Sequence, residues 1–290
     1  MIYLDSFYFV GPVTEERFLH DEKKTCYDSF YPYGILPQKG LSEMRFNDIT
    51  ILYGGNGSGK TTVLNIIAEK IGAERVAPYN RSNFFENYLQ GCDMEYRTCD
   101  IENKAIITSD DVFDYMLDVR ALNEQIDVKR EERLQDYMEY RYKKFKFESM
   151  DQFEELRKSN LAKSRTRSQY VRKTLTDNIR EYSNGESAFR YFLNHIEGNG
   201  IYILDEPENS LSPEKQLELI DFLQDSARHL RCQFIISTHS PFILSMDKAL
   251  IYNLDGEPVS TADWHELKNV QVYYQFFKKH ESEFDGNGTD

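Results

Sequence analysis

Cysteine is scarce in this chain: Cys26, Cys92, Cys99 and Cys232 are the only four, and none stands in a C-x-x-C spacing. Four scattered thiols cannot staple 290 residues, so we expect them reduced and mostly packed, and assign them no metal site. Long apolar runs are missing as well. Nothing approaches the roughly 18 to 20 residues needed to span a bilayer, which excludes membrane insertion. The opening M-I-Y-L-D-S-F-Y-F-V lacks the basic region and small-residue cleavage site of a signal peptide, so the residues predict a cytoplasmic protein. A basic surplus is absent too: the formal net charge is -14, which excludes a surface that is basic all over while leaving room for a local patch. Glycine and proline, finally, do not occur between Leu117 and Ile179.

What is present organises the chain around one stretch. Gly54 to Thr61 read G-G-N-G-S-G-K-T, filling every fixed position of the phosphate-loop pattern G-x-x-x-x-G-K-[ST] with two further glycines inside. A triphosphate needs several backbone N–H groups aimed at one place, which calls for positive φ angles and no Cβ in the way. Gly54, Gly55, Gly57 and Gly59 supply that room. The β-rich run Ile49 to Tyr53 precedes the loop, and Val63, Leu64, Ile67 and Ile71 follow at helical spacing. The loop therefore opens a helix whose N-terminus faces the anion. In that setting Lys60 reaches the β- and γ-phosphates and the Thr61 hydroxyl ligates Mg²⁺.

Around it the chain reads as an α/β protein. Ile2 to Val10 alternates as a first strand, followed by Gly11-Pro12 and a polar stretch to about Lys24. Tyr33, ahead of the phosphate loop, is either an adenine-stacking ring or a residue packing its loop onto the sheet. The segment after Gly72 is a loop-rich cover with some helix. Ala105 to Thr108 forms a short strand, with Ser109, Asp110 and Asp111 at its carboxyl end, either near a ligand or capping a helix over Val112 to Met116. From about Leu117 to Ile179 the pattern predicts two or three helices forming an inserted arm. Within it, residues 141–173 carry eleven Lys or Arg against four Asp or Glu, a local balance of +7 that leaves -21 for the rest. Tyr142, Phe145, Phe147, Phe153 and Tyr170 interleave those charges, a composition compatible with nucleic acid or an acidic partner and equally with one solvated helical face. Strands are expected at Ile201 to Leu204, Phe234 to Ser237 and Ala249 to Leu254, and a helix over Pro213 to Leu223 capped by Ser212.

Ile201-Tyr202-Ile203-Leu204-Asp205-Glu206 has the form of a Walker B strand. Asp205 would hold Mg²⁺ and Glu206 would polarise the attacking water. Upstream, Tyr182-Ser183-Asn184-Gly185-Glu186-Ser187 precedes a helix expected to carry Phe189, Phe192, Leu193 and Ile196 on one side. Downstream lies Phe234-Ile235-Ile236-Ser237-Thr238-His239-Ser240-Pro241. Taken in order, these elements resemble the signature, Walker B and switch-histidine motifs of the ABC ATPase superfamily, with Glu208 to Ser212 at the place of its D-loop. The resemblance covers roughly Ile49 to Gly72 and Tyr182 to Leu254, and is nearest to stand-alone, SMC- or RecF-like bacterial ATPases.

That resemblance implies a P-loop NTPase head with an inserted α-helical arm: residues 1–116 and 181–280 as the two parts of the ATPase domain, 117–180 as the arm and 281–290 as a flexible tail. It implies ATP and Mg²⁺ as ligands and catalytic roles for Glu206, His239 and Lys60. The nucleotide-binding set is Gly54, Gly55, Asn56, Gly57, Ser58, Gly59, Lys60, Thr61 and Thr62, with Ser183, Gly185 and Glu186 closing a second copy's site. The metal ligands are Thr61 and Asp205. It further implies an ATP-gated homodimer with composite sites, acting on a protein partner such as an effector in a bacterial antiviral defence or toxin-antitoxin locus, with no membrane partner. Three alternatives stand beside it: a DNA-binding repair ATPase using the basic arm 141–173, the nucleotide-binding subunit of an ABC transporter, and a module that binds ATP without turnover. One element departs from the pattern, since no glutamine loop is identifiable: Gln90 precedes the strand, while Asp110 and Asp111 stand at the expected place.

Overall fold

The computed structural model describes residues 1–22, 27, 29–142, 153–172 and 184–284. Cys26, Lys143, Lys144, Phe145, Lys146, Phe147, Tyr182 and Ser183 lie outside the described residues, as do residues 285–290 of the expected tail.

The strands are β1 Leu4–Tyr8, β2 Glu43–Arg45, β3 Ile49–Tyr53, β4 Asp93–Tyr96, β5 Asn103–Thr108, β6 Gly200–Asp205, β7 Cys232–Thr238, β8 Leu250–Asn253 and β9 Ser260–Thr261. The helices are α1 Pro12–Asp21, α2 Lys60–Ile71, α3 Phe85–Gly91, α4 Ser109–Tyr142, α5 Phe153–Ser164, α6 Arg167–Arg172, α7 Asn184–His195, α8 Pro213–His229, α9 Pro241–Leu244, α10 Lys268–Lys279 and α11 Glu281–Phe284. The chain divides into two compact units, Met1–Val112 with Asn184–Asp290, and Phe113–Ser183.

In the first unit one sheet has the order β5-β6-β7-β3-β8-β9, parallel through β8, with β9 antiparallel at its edge. Parallel strands covered on both faces read as continuous apolar runs. That is why Ile49–Tyr53 and Cys232–Thr238 are buried at every residue. A smaller antiparallel sheet, β2-β1-β4, packs its Leu4, Phe7 and Met44 with Val63, Ile66 and Ile67 of α2 in a single core. The buried Gln233 side chain ties the two sheets: Oε1 accepts from Tyr3 N (3.0 Å) and Leu4 N (2.9 Å), and Nε2 donates to Leu4 O (2.8 Å) and Asn47 O (3.1 Å). A wholly buried amide with all its hydrogen-bonding capacity used fixes a register where an apolar contact would slide.

In the second unit Tyr137 of α4, Ala162 of α5 and Tyr170 and Val171 of α6 form a separate small core. Arg141 there donates to the carbonyls of Ala162 (2.9 Å) and Lys163 (3.0 Å), satisfying the end of α5 with a cation.

Four sequence expectations need correction. The polar stretch after Pro12 is a helix, α1, whose one buried side chain is Glu15; its carboxylate accepts from Gly34 N (3.0 Å), so no apolar stripe announces the element. The cover after Gly72 contains β4, a four-residue edge strand whose Met94 and Tyr96 pack half-buried against the core while Asp93 and Glu95 are exposed. The helix expected over Val112 to Met116 runs on through 34 residues of α4, and Glu281 to Phe284 of the expected tail are helical.

Candidate active site

The parallel register places the ends of three neighbouring strands side by side. Tyr53 pairs with Thr238 and Asp205 with Ser237, so the phosphate loop after β3, the carboxylates after β6 and the histidine after β7 leave the sheet at one edge. Open α/β sheets bind ligands there.

The loop's glycines have distinct reasons. Gly57 and Gly59 take φ of 79° and 93°, where L side chains are strained. Gly54 has no such φ, but a Cβ on it would meet the Ser58 side chain and come within 3.2 Å of Leu254 Cβ. Gly55 is freer than the sequence implied: nothing lies closer than 3.6 Å to its would-be Cβ, and its N–H donates to Asp255 Oδ1 at 2.8 Å. Above the loop a cavity of about 450 Å³ is lined by Ile35, Asn56, Gly57, Ser58, Gly59, Lys60, Thr61, Thr62 and Glu206. Tyr31 reaches its rim, donating from its hydroxyl to Thr62 Oγ1 at 3.2 Å.

Lys60 is buried and donates to Gly54 O at 2.8 Å. Its Nζ also stands 2.8 Å from His239 Nε2 and 3.6 Å from Glu206 Oε1, while His239 Nε2 lies 3.1 Å from the same Glu206 oxygen. One ring nitrogen cannot accept a proton from the ammonium and donate one to the carboxylate at the same time. Two proton arrangements therefore compete in a trio of which Lys60 and Glu206 line the cavity.

Beside it, Asp205 is held by the Ser237 hydroxyl on Oδ1 and by the Thr61 hydroxyl. Burial pushes its carboxyl above the ordinary aspartate value, opposed by those two hydroxyls. A buried carboxylate adjoining a threonine hydroxyl is a hard oxygen donor set. Thr61 and Asp205 thus fit Mg²⁺, which usually takes one or two protein ligands and completes its shell with water and phosphate oxygens.

Two residues important to the site carried no assigned role in the sequence. The Glu208 carboxylate is buried and accepts on Oε1 from Thr238 Oγ1 (2.7 Å), His239 N (2.6 Å) and Ser240 N (3.1 Å), pinning the peptide that carries the histidine. A signal existed: a third carboxylate two residues beyond Asp205-Glu206, with the hydroxyl-rich Thr238-His239-Ser240 available to serve it. Asn269 donates from Nδ2 to His239 O at 2.6 Å, and its N–H donates to the Tyr53 hydroxyl at 3.2 Å. It lies 30 positions beyond His239 in a stretch without a motif, and nothing in the sequence marks it.

Other expected residues fall elsewhere. Gly185, at the start of α7, packs against the turn after Glu208: a Cβ there would stand 3.3 Å from Ser210 O. Glu186 is paired with Arg190 at 3.8 Å. Neither lines the cavity, and Ser183 lies outside the described residues. On α7 Phe192 and Ile196 are buried, Phe189 meets Phe222 edge-on, and Leu193 is exposed, contrary to expectation. Tyr33 packs: it is buried, stacked on Phe18 at 4.4 Å, and its hydroxyl pKa is pushed up to about 12 by that burial. Gln90 is exposed on α3, away from the cavity lining. Asp111 takes Ala77 N (2.7 Å), Thr108 N (2.7 Å) and Thr108 Oγ1 (2.8 Å), a structural clasp at the β5–α4 junction.

A family model described as an AAA ATPase domain matches residues 186–244. The fold itself is α/β, with a largely parallel sheet that carries the glycine-rich loop after β3. The matched span holds Asp205, Glu206, Glu208 and His239 together. Solved structures similar to the chain include the Smc head domain with an extended coiled coil bound to the C-terminal domain of ScpA from Pyrococcus furiosus, at 11% identity and TM-score 0.43, covering 97% of this chain and 100% of that one. The SMC head domain from Thermotoga maritima is similar at 12% identity and TM-score 0.38, covering 90% and 99%. A nucleotide-free ATP-binding cassette from an ABC transporter is similar at 15% identity and TM-score 0.39, covering 95% and 96%. No curated protein matches the chain. Among the described residues, no helix is long and apolar enough to cross a membrane.

Proposed function

We propose that this chain hydrolyses ATP with Mg²⁺, and that two copies complete each other's sites in an ATP-gated dimer whose state is read by a protein partner. The observation that carries the reading is the meeting of Lys60 Nζ, His239 Nε2 and Glu206 Oε1 within 3.6 Å, beside a cavity walled by phosphate-loop residues.

The chemistry follows from those positions. The Lys60 ammonium and the loop N–H groups bind the phosphate tail, where α2 presents its N-terminus. Mg²⁺ on Thr61 and Asp205 would neutralise charge on the phosphate oxygens. A phosphate oxygen accepts from both Lys60 and His239, which resolves the competition at Nε2 and frees Glu206 of its two partners. Glu206 then takes a proton from the water that attacks the γ-phosphorus, and ADP departs with the electrons of the cleaved P–O bond. Asn209 Nδ2, 3.3 Å from Glu206 Oε2, holds the carboxylate's other oxygen. The contact of Gly185 with the turn at Ser210 supports coupling of the α7 N-terminus to the Glu206 segment, so closure by a second copy would be felt at the base.

Phosphate release tests hydrolysis. Glu206→Gln should lower kcat by about 10²- to 10⁴-fold, the usual worth of a general base, while retaining ATP binding. Lys60→Ala should instead lose binding of a fluorescent ATP analogue. Turnover by Glu206→Gln at the wild-type rate would overturn the assignment.

A further inference from the structure

We infer that residues 272–284, on α10 and α11, form a second contact between copies of this chain, one that needs no nucleotide. The contact is separate from the composite ATP site proposed above.

The start of α10 is anchored: Leu267 and Val270 are buried, and Asn269 bonds the main body at His239 and Tyr53. Beyond that point every residue from Val272 to Lys279 is exposed. A two-to-three-turn helix without packing on either side is marginal in water, so this one requires a surface to lie against. Its side chains are built for one. Tyr273, Phe276, Phe277, His280 and Phe284 recur at intervals of three, four and seven, which puts them on one stripe. The rings already touch: Phe276 and His280 have centroids 4.8 Å apart, Phe276 and Phe277 5.5 Å, and Phe277 and Phe284 6.1 Å.

Area and charge say what covers the stripe. Val272, Tyr273, Tyr274, Phe276, Phe277 and Phe284 are each between 49% and 71% exposed. With aromatic side chains burying about 150 to 250 Å² each, they offer roughly 600 Å² per chain. Two such faces bury roughly 1,200 Å² together, the lower bound for a stable specific pair. Residues 263–284 carry Lys268, Lys278 and Lys279 against Asp263, Glu266, Glu281 and Glu283, so this segment is nearly neutral in a chain of net charge -14. Near-neutrality disfavours nucleic acid, which selects a basic face. It suits a self-complementary two-fold contact, in which Lys278 and Lys279 of one copy lie opposite Glu281 and Glu283 of the other. Tyrosine and phenylalanine are also the residues that interface cores favour.

Analytical ultracentrifugation decides it. Nucleotide-free wild type should sediment as a dimer, and Phe276→Ser/Phe277→Ser should halve that mass. In the Glu206→Gln background, ATP should carry the α10 variant from monomer to dimer and the otherwise wild-type chain from dimer to tetramer. The ATP-dependent step thus reports the earlier proposal, and the nucleotide-free step reports this one. Should the double variant fail to fold, Tyr273→Asp, at an exposed position on the same stripe, gives the same reading. A monomeric nucleotide-free wild type, or a variant that stays dimeric, overturns the inference.

Discussion

Glu208 shows what one buried carboxylate does at this site. It gathers three donors on one oxygen, while its Oε2 has no partner among the described atoms. Burial raises its pKa above the ordinary value of 4.5, against the pull of His239 N and Thr238 Oγ1. The folded protein therefore binds that proton more tightly than the unfolded chain. The stability it contributes is full below the unfolded value and is lost as pH rises through the folded one. Glu208→Gln keeps an acceptor on the same three donors but cannot titrate. In urea unfolding, the wild-type stability relative to this variant should fall as pH rises from 4.5 towards neutrality; a difference that grows with pH has the wrong sign for the argument. Asn269→Ala strips a partner from the His239 carbonyl and should cost about 1 to 3 kcal/mol, read by the same denaturation. Under the proposed function ATP is held by the loop rather than by Asn269, so kcat should drop while KM moves little. Glu208 at least stands as a third carboxylate after Asp205-Glu206, whereas nothing near Asn269 marks it; each acts on a peptide about thirty positions away.

At the scale of elements, the strand, loop and helix from Ile49 to Gly72 were legible almost to the residue. Their signals are local: an apolar run, glycines where φ turns positive, and Gly72 in the left-handed region, its N–H closing on Ala68 and Glu69. Steric detail was only partly local. Gly54 is confined first by the nearby Ser58 side chain and then by Leu254, which follows β8 at the far end of the chain. Gly54→Ala should therefore destabilise by about 1 to 3 kcal/mol, whereas Gly55→Ala, with open space, should be near neutral; thermal unfolding of the pair separates the two. Asp111 has the same lesson. As a residue following a strand it was open to a ligand role, yet it serves two main-chain N–H groups across the β5–α4 junction. Asp111→Ala leaves both unpaired, and should lower stability by about 1 to 3 kcal/mol per donor left unsatisfied and buried, without changing affinity for the ATP analogue. The helix α1 escaped the sequence because its one buried side chain is the charged Glu15, and β4 because its alternation runs over only four residues at a sheet edge.

For the whole molecule the ordering of motifs, rather than any one of them, argues for an ATP-driven cycle. Sedimentation of Glu206→Gln should show a species twice the mass when ATP is added, and Lys60→Ala should show none. Charge is distributed unevenly on the same scale, with +7 over residues 141–173 and -21 elsewhere. If that stretch grips nucleic acid, retention of a duplex must weaken steeply between low and physiological salt, as counterion release demands. Binding that ignores salt would remove the DNA-acting alternative.

The chemistry on offer was set by the sequence alone: a phosphate loop with its lysine, two carboxylates after an apolar strand, and a histidine after another, because short-range steric and hydrogen-bonding rules dictate each. Their meeting was decided by the tertiary structure. Lys60 and His239 stand 179 positions apart, and no local rule sets the register that pairs Tyr53 with Thr238 and Asp205 with Ser237. That register comes from burying both faces of the parallel sheet at once, and only in that arrangement do the lysine and the glutamate that line the cavity come within reach of the histidine.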